Sequence, residues 1–214
     1  MISRKLLSDQ PSVRSPWFWV PSLYFAQGIP YVAVMIVSVL MYKRLGVSNT
    51  DIALYTSWLN LPWVIKPFWS PFVDLLKTKR WWVVTMQLLI GAGLAGVAFT
   101  IPTTFFFQAS LAVFWLLAFS SATHDVGIRS TFYRIAIIAG QGVLVMFAGF
   151  LENNTGNIPL AWSITFFILG GLFLGLFLYH RYILPLPEGD KPSVTVTPST
   201  IVKEFFATFV SFFK

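Results

Sequence analysis

The 214-residue chain contains no cysteine, which excludes disulfides, thiolate metal sites and cysteine nucleophiles. Only two histidines, His124 and His180, remain as nitrogen ligands. No metal site and no cofactor are expected. Charge is equally scarce: 11% of residues are Asp, Glu, Lys or Arg, where soluble domains carry about a quarter. Spaced Asp/His clusters and an activated nucleophile are missing, so no catalytic residues are assigned and a membrane-bound acyl- or phosphotransferase using His124 and Asp125 is the weaker reading. The net charge of +7 would suit nucleic acid only if the basic residues shared one accessible face. Here they flank apolar runs, and no nucleic-acid partner is expected. A cleavable signal peptide is absent too, because "MISRKLLSDQPSVRSP" is polar and the first apolar run is too long and lacks a small-residue cleavage site.

What is present is apolar: 56% hydrophobic and 18% aromatic residues. A bilayer core about 30 Å thick needs roughly 20 apolar residues per helix. Six runs meet that need, at about residues 17–42, 51–69, 81–101, 104–123, 132–151 and 161–182. The chain therefore reads as an all-α membrane protein of six transmembrane helices, a multi-pass protein whose first partner is the lipid bilayer. Cytoplasmic loops retain positive charge. With the N-terminus inside, all but Lys43 and Arg44 of the 15 Lys and Arg fall on the cytoplasmic side, which places both termini in the cytoplasm. Residues 1–16 form a cytoplasmic tail, 17–182 the bundle and 183–200 a Pro-rich cytoplasmic linker. Residues 201–214, with phenylalanines at helical spacing, are an amphipathic interfacial segment or the start of a truncated central region.

The spans differ in character. The first carries Gln27, Gly28 and Pro30, and a Gly/Pro break at membrane depth survives only where protein or a water-filled cavity satisfies the freed backbone groups. The second mixes Thr56, Ser57, Asn60, Pro62 and Lys66 into an apolar frame and reads as a lining or packing helix. The third sets Gly91 four residues from Ala95, and Ala92 four from Gly96, a spacing that permits close helix contact. The sixth has no polar residue deep in its core and reads as scaffold.

Together, "SLYFAQGIPYV", "WLNLPWVIKPFWSPFVDLLKTKRWW", "SSATHD" and "FYRIA" resemble the N-terminal half of a major facilitator transporter, in its muropeptide permease (AmpG-like) branch, over roughly Ser15 to Lys214. The resemblance implies the six-helix N-terminal half of a major facilitator fold in the bacterial inner membrane. It further implies a proton-coupled secondary transporter that imports a sugar- or peptide-type solute such as a muropeptide, with a second six-helix half as partner. A non-transporting subunit, or a fragment without independent activity, is the alternative. In the loop after the second span, Asp74, Lys79 and Arg80 fit the superfamily's cytoplasmic latch, although Ser70 and Pro71 stand where a glycine is usual. Relatives also continue with more helix after the acid of span four, whereas Asp125 is followed at once by Val126-Gly127-Ile128-Arg129, so an internal deletion is expected there.

Several residues carry two readings. Asp125 is a buried proton-coupling carboxylate or part of a solvated turn around Gly127. His124 beside it falls at the cytoplasmic boundary and, about 100° away around a helix, cannot share one cavity with it. Tyr24, Gln27 and Tyr31 share a helical face and, with Asn60 and Arg134, are the expected solute-binding set; aromatic packing is the alternative for the tyrosines. Lys66 reads as a helix-end anchor that snorkels or meets an anionic solute. Arg129 is an anchor, Glu152 the one acid near the outer loop, and His180 an interfacial residue.

Overall fold

The computed structural model describes residues 15–69, 73, 77–124 and 131–185, with 67 and 131–134 described by their backbone alone. Every element among them is helical. A 3-10 turn at Pro16–Phe18 leads into α1 (Val20–Val32), which passes through a π turn (Ala33–Val37) into α2 (Ser38–Arg44), forming one rod. Next come α3 (Asn49–Ser57), a 3-10 turn (Trp58–Asn60), α4 (Leu61–Ile65) and a second 3-10 turn (Lys66–Phe68). The long helices α5 (Lys79–Thr100) and α6 (Phe106–His124) follow. Finally α7 (Thr131–Ala139) runs through a π turn (Gly140–Leu144) into α8 (Val145–Thr155), and α9 (Ile158–Ile183) ends the described chain.

Five helical stretches among the described residues are long and apolar enough to cross a bilayer: Pro16–Arg44, Lys79–Thr100, Phe106–His124, Ile135–Thr155 and Ile158–Ile183. The expected span at 51–69 is helical but is not one of them. Its α-helical pieces are separated by 3-10 turns, and Pro62 and Pro67 each remove a backbone N–H from the ladder.

Helix ends follow local chemistry. The Thr78 hydroxyl accepts from Trp81 N at 3.1 Å and opens α5; the Asn157 amide oxygen accepts from Leu160 N at 3.0 Å and opens α9. These are ordinary N-caps, each satisfying an orphan N–H. Gly156 closes α8 with φ +64, a left-handed position a glycine adopts without penalty. The first rod departs from expectation. Gly28 and Pro30 are both buried inside a continuing helix, and the irregularity comes just after them as the π turn, where Ser38 Oγ donates to the Val34 carbonyl at 2.5 Å. The rod carries Pro30 without a break and shifts to the wider π register three residues later.

α5 lies between α6 and α9, and α1 packs chiefly on α7 with further contacts to α6 and α9. A Cβ on Gly170 of α9 would stand 3.0 Å from both Ala95 N and Gly91 O of α5. The expected small-residue contact of the third span is therefore the α5/α9 crossing. The two π turns also face each other, and a Cβ on Gly140 would meet Val32 Cγ1 at 3.1 Å. The core runs through Tyr42, Leu94, Phe114, Phe166 and Phe173. Ile138 of α7 and Met146 and Phe150 of α8 point outward, as lipid-facing positions do where tails are as apolar as the side chains.

Candidate functional site

Polar groups gather at the end of the bundle where α1 begins and α9 ends. Ser22 on α1, Gln87 on α5, His124 at the end of α6 and His180 near the end of α9 form one chain of contacts. Ser22 Oγ is 3.0 Å from His180 Nε2, His180 Nδ1 is 2.9 Å from Gln87 Oε1, and Gln87 Nε2 is 3.0 Å from His124 Nε2. The Ser22 hydroxyl also lies 3.1 Å from the Trp19 carbonyl. Gln27 extends the chain by donating from Nε2 to the His124 carbonyl at 3.5 Å, a long contact. Gln87 and His180 are 0% exposed, His124 1% and Gln27 4%. Two atoms of this group, His124 Nδ1 and Gln27 Oε1, are buried without a hydrogen-bond partner. Gln87 stands eight residues beyond Lys79, about 12 Å along α5.

This arrangement corrects one expectation: His124 is not wet, because neighbouring helices enclose its ring. His180 lies in the last turn of α9 with its ring likewise enclosed by protein. In the sixth span the buried polar residues, Ser163, Thr165 and His180, lie toward its two ends. Ser22 and Gln87 were not among the expected site residues. Gln87 had a signal, being the one amide in "WWVVTMQLLIGAGLAGVAFTI", and a polar side chain inside a membrane helix points toward protein rather than lipid.

The expected solute-binding residues are dispersed. Gln27 joins the histidine chain. Tyr31 is half-buried and meets Trp63 of α4 edge to face, with centroids 5.4 Å apart. Tyr24 is half-buried, and Asn60 is exposed on the 3-10 turn before α4. The backbone of Arg134 lies in α7, but its side chain falls outside the described residues, as do Asp74, Asp125 with the segment after it, and residues 201–214. Of the latch, Lys79 and Arg80 occupy the first turn of α5, and Arg80 donates to the Arg181 carbonyl of α9. A groove of about 590 Å³ opens there, lined among others by Arg80, Trp81, Arg181 and Tyr182.

The opposite end is tied by charge. Arg44 Nε donates to Glu152 Oε2 at 2.9 Å and a second guanidinium nitrogen pairs with the same oxygen, while Trp162 Nε1 donates to Glu152 Oε1 at 2.7 Å. Glu152 therefore joins three spans rather than merely standing near a loop.

A helical bundle with several apolar rods long enough to cross a bilayer is a multi-pass membrane protein. The chain belongs to the BT1 family, which matches it over residues 25–166, more than half its length. It is accordingly a membrane transporter of the major facilitator type. No solved structure matches the chain.

Proposed function

We propose that the chain forms the N-terminal half of a proton-coupled secondary transporter of the bacterial inner membrane. In this reading it crosses the bilayer six times, with the interrupted 49–68 segment as the second crossing and both termini in the cytoplasm. The solute is of the sugar or peptide type, a muropeptide being the one the permease resemblance favours, and a second six-helix half completes the path.

The observation that carries this reading is the first rod. On it Gln27 and the half-buried Tyr31 are one helical turn apart in sequence, on either side of Pro30 and ahead of a π turn. Irregular turns of this kind mark positions where a helix changes shape, and hydrogen-bonding groups beside aromatic surface suit a hydroxylated solute. Asn60 and Arg134 would supply further polar contacts, Asp125 the coupling carboxylate, and Asp74 with Lys79 and Arg80 a latch that rearranges between states.

Uptake of labelled muropeptide into energised vesicles tests this. We expect accumulation that an uncoupler abolishes, reduced uptake for Gln27→Leu, and loss of accumulation with Asp125→Asn. Vesicles with and without the protein that take up equal amounts would leave a non-transporting subunit as the better reading. Uptake indifferent to Asp125→Asn would remove that residue from coupling.

A further inference from the structure

We propose that His124 and His180, bridged by Gln87, form a site for one exchangeable proton inside the bundle, with the amide of Gln87 deciding which ring holds it. The use of that proton in transport rests on the function proposed above; the site itself does not.

The argument is one of donors and acceptors. A neutral imidazole offers one N–H and one bare nitrogen, whereas an imidazolium offers two N–H donors and no acceptor. Gln87 offers an acceptor oxygen to one ring and a donor nitrogen to the other, and it is held against both, at 2.9 and 3.0 Å. The ring facing the amide nitrogen must present a bare nitrogen, because two N–H groups pointed at each other repel. Only the ring facing Oε1 has room for a second proton. The bridge therefore admits one cation, never two.

In the observed arrangement that ring is His180. Charged, it donates from Nδ1 to Gln87 Oε1 and from Nε2 to Ser22 Oγ, and the Ser22 hydroxyl donates in turn to the Trp19 carbonyl, so both of its N–H groups have acceptors. With the Gln87 amide turned over, the same logic selects His124, which donates from Nε2 to the amide oxygen and carries its other proton on Nδ1. Nδ1 is the buried ring atom without a partner, and the neighbouring Gln27 keeps a buried, unpartnered acceptor. Passing the charge from His124 to His180 removes the Nε2 proton of one ring, adds a proton to Nδ1 of the other and turns the amide. The number of protons is unchanged.

The surroundings are specific. Lys66 lies within electrostatic reach of His124, the Tyr179 ring stands 5.4 Å from that of His180, and Asp125 adjoins His124 in the chain. The described acids, Asp51 and Glu152, belong to the far end, at the start of α3 and beside Arg44. An ionisable group enclosed among membrane helices is costly to keep and marks ion or proton pathways. Here two such groups from different spans meet through one amide.

The test is nitrogen NMR of the full chain, labelled with 15N-histidine in lipid nanodiscs and titrated from about pH 8 to pH 4, a range that brackets histidine's change of charge. The expected result is one imidazolium per chain, the two rings sharing a single midpoint, and loss of that sharing in Gln87→Leu. The wild-type spectra alone can overturn the inference: two cations per chain mean the rings titrate independently, and none at any pH means the bridge is a neutral strut. No solute is needed. A shared proton without muropeptide uptake therefore counts against the transporter reading alone, and uptake with unshared rings counts against this inference alone.

Discussion

At the scale of single residues, interhelical polar contacts add to close packing in holding the bundle, because lipid tails are as apolar as the side chains they meet. Glu152 illustrates this: it accepts from Arg44 and from the buried Trp162 indole. Glu152→Ala leaves that indole N–H without a partner, while Glu152→Gln keeps an acceptor for it and loses only the charge pair. Thermal unfolding in detergent is expected to rank wild type above Gln above Ala; an Ala variant as stable as wild type would show the indole contact to be incidental. Tyr42 is a milder case. Its hydroxyl lies 2.8 Å from Ser110 Oγ, and its ring meets Phe107 edge to face. Tyr42→Phe keeps the ring packing and loses one buried contact, so unfolding by denaturant is expected to show a cost of about 0.6 kcal/mol, the mean for such bonds between membrane helices. These partnerships were not legible in the sequence. The letters show that His124, His180 and Glu152 are rare polar residues in apolar stretches, but the face each presents depends on neighbours tens of residues away.

At the scale of elements, much was legible. The spans expected at 81–101, 104–123 and 161–182 lie within a few residues of α5, α6 and α9, because apolar runs bounded by Thr78 and Asn157 caps carry their own limits. The small residues Gly91 and Ala95 likewise foretold a close crossing, though not its partner. What local pattern could not give was the response to proline: Pro30 is carried inside a helix with a π turn after it, whereas the segment holding Pro62 and Pro67 divides into short pieces. The crossing makes a sharp prediction. At Gly170 an added Cβ meets α5 backbone rather than a movable side chain, so Gly170→Val must push the two helices apart, at about 1–3 kcal/mol, as for other overpacked contacts. Gly171, one position along, has open space around its Cβ position and serves as the control. Denaturant unfolding of both variants checks this; equal stabilities would mean that α9 does not approach α5 as described.

At the scale of the whole molecule, the two ends differ in chemistry. One gathers Lys66, Lys77, Lys79, Arg80 and Arg181 around the histidine chain and the groove between α5 and α9. The other holds Lys43 and Arg44, the latter neutralised by Glu152. Positive residues resist translocation, so the first end is expected in the cytoplasm and the second outside. The absence of cysteine makes the test clean, because an introduced thiol is the only one. Lys77 and Asn153 are exposed at the two ends, and neither substitution disturbs a cap or the ion pair. In intact cells a membrane-impermeant maleimide should label Asn153→Cys and spare Lys77→Cys until the membrane is opened. The reverse pattern would mean either an inverted molecule or an interrupted 49–68 segment that does not cross, because that segment sets the side of everything after it. Labelling of both from outside would mean that an even number of crossings separates the two sites, so that one of α5, α6 and the α7–α8 rod between them does not span the bilayer.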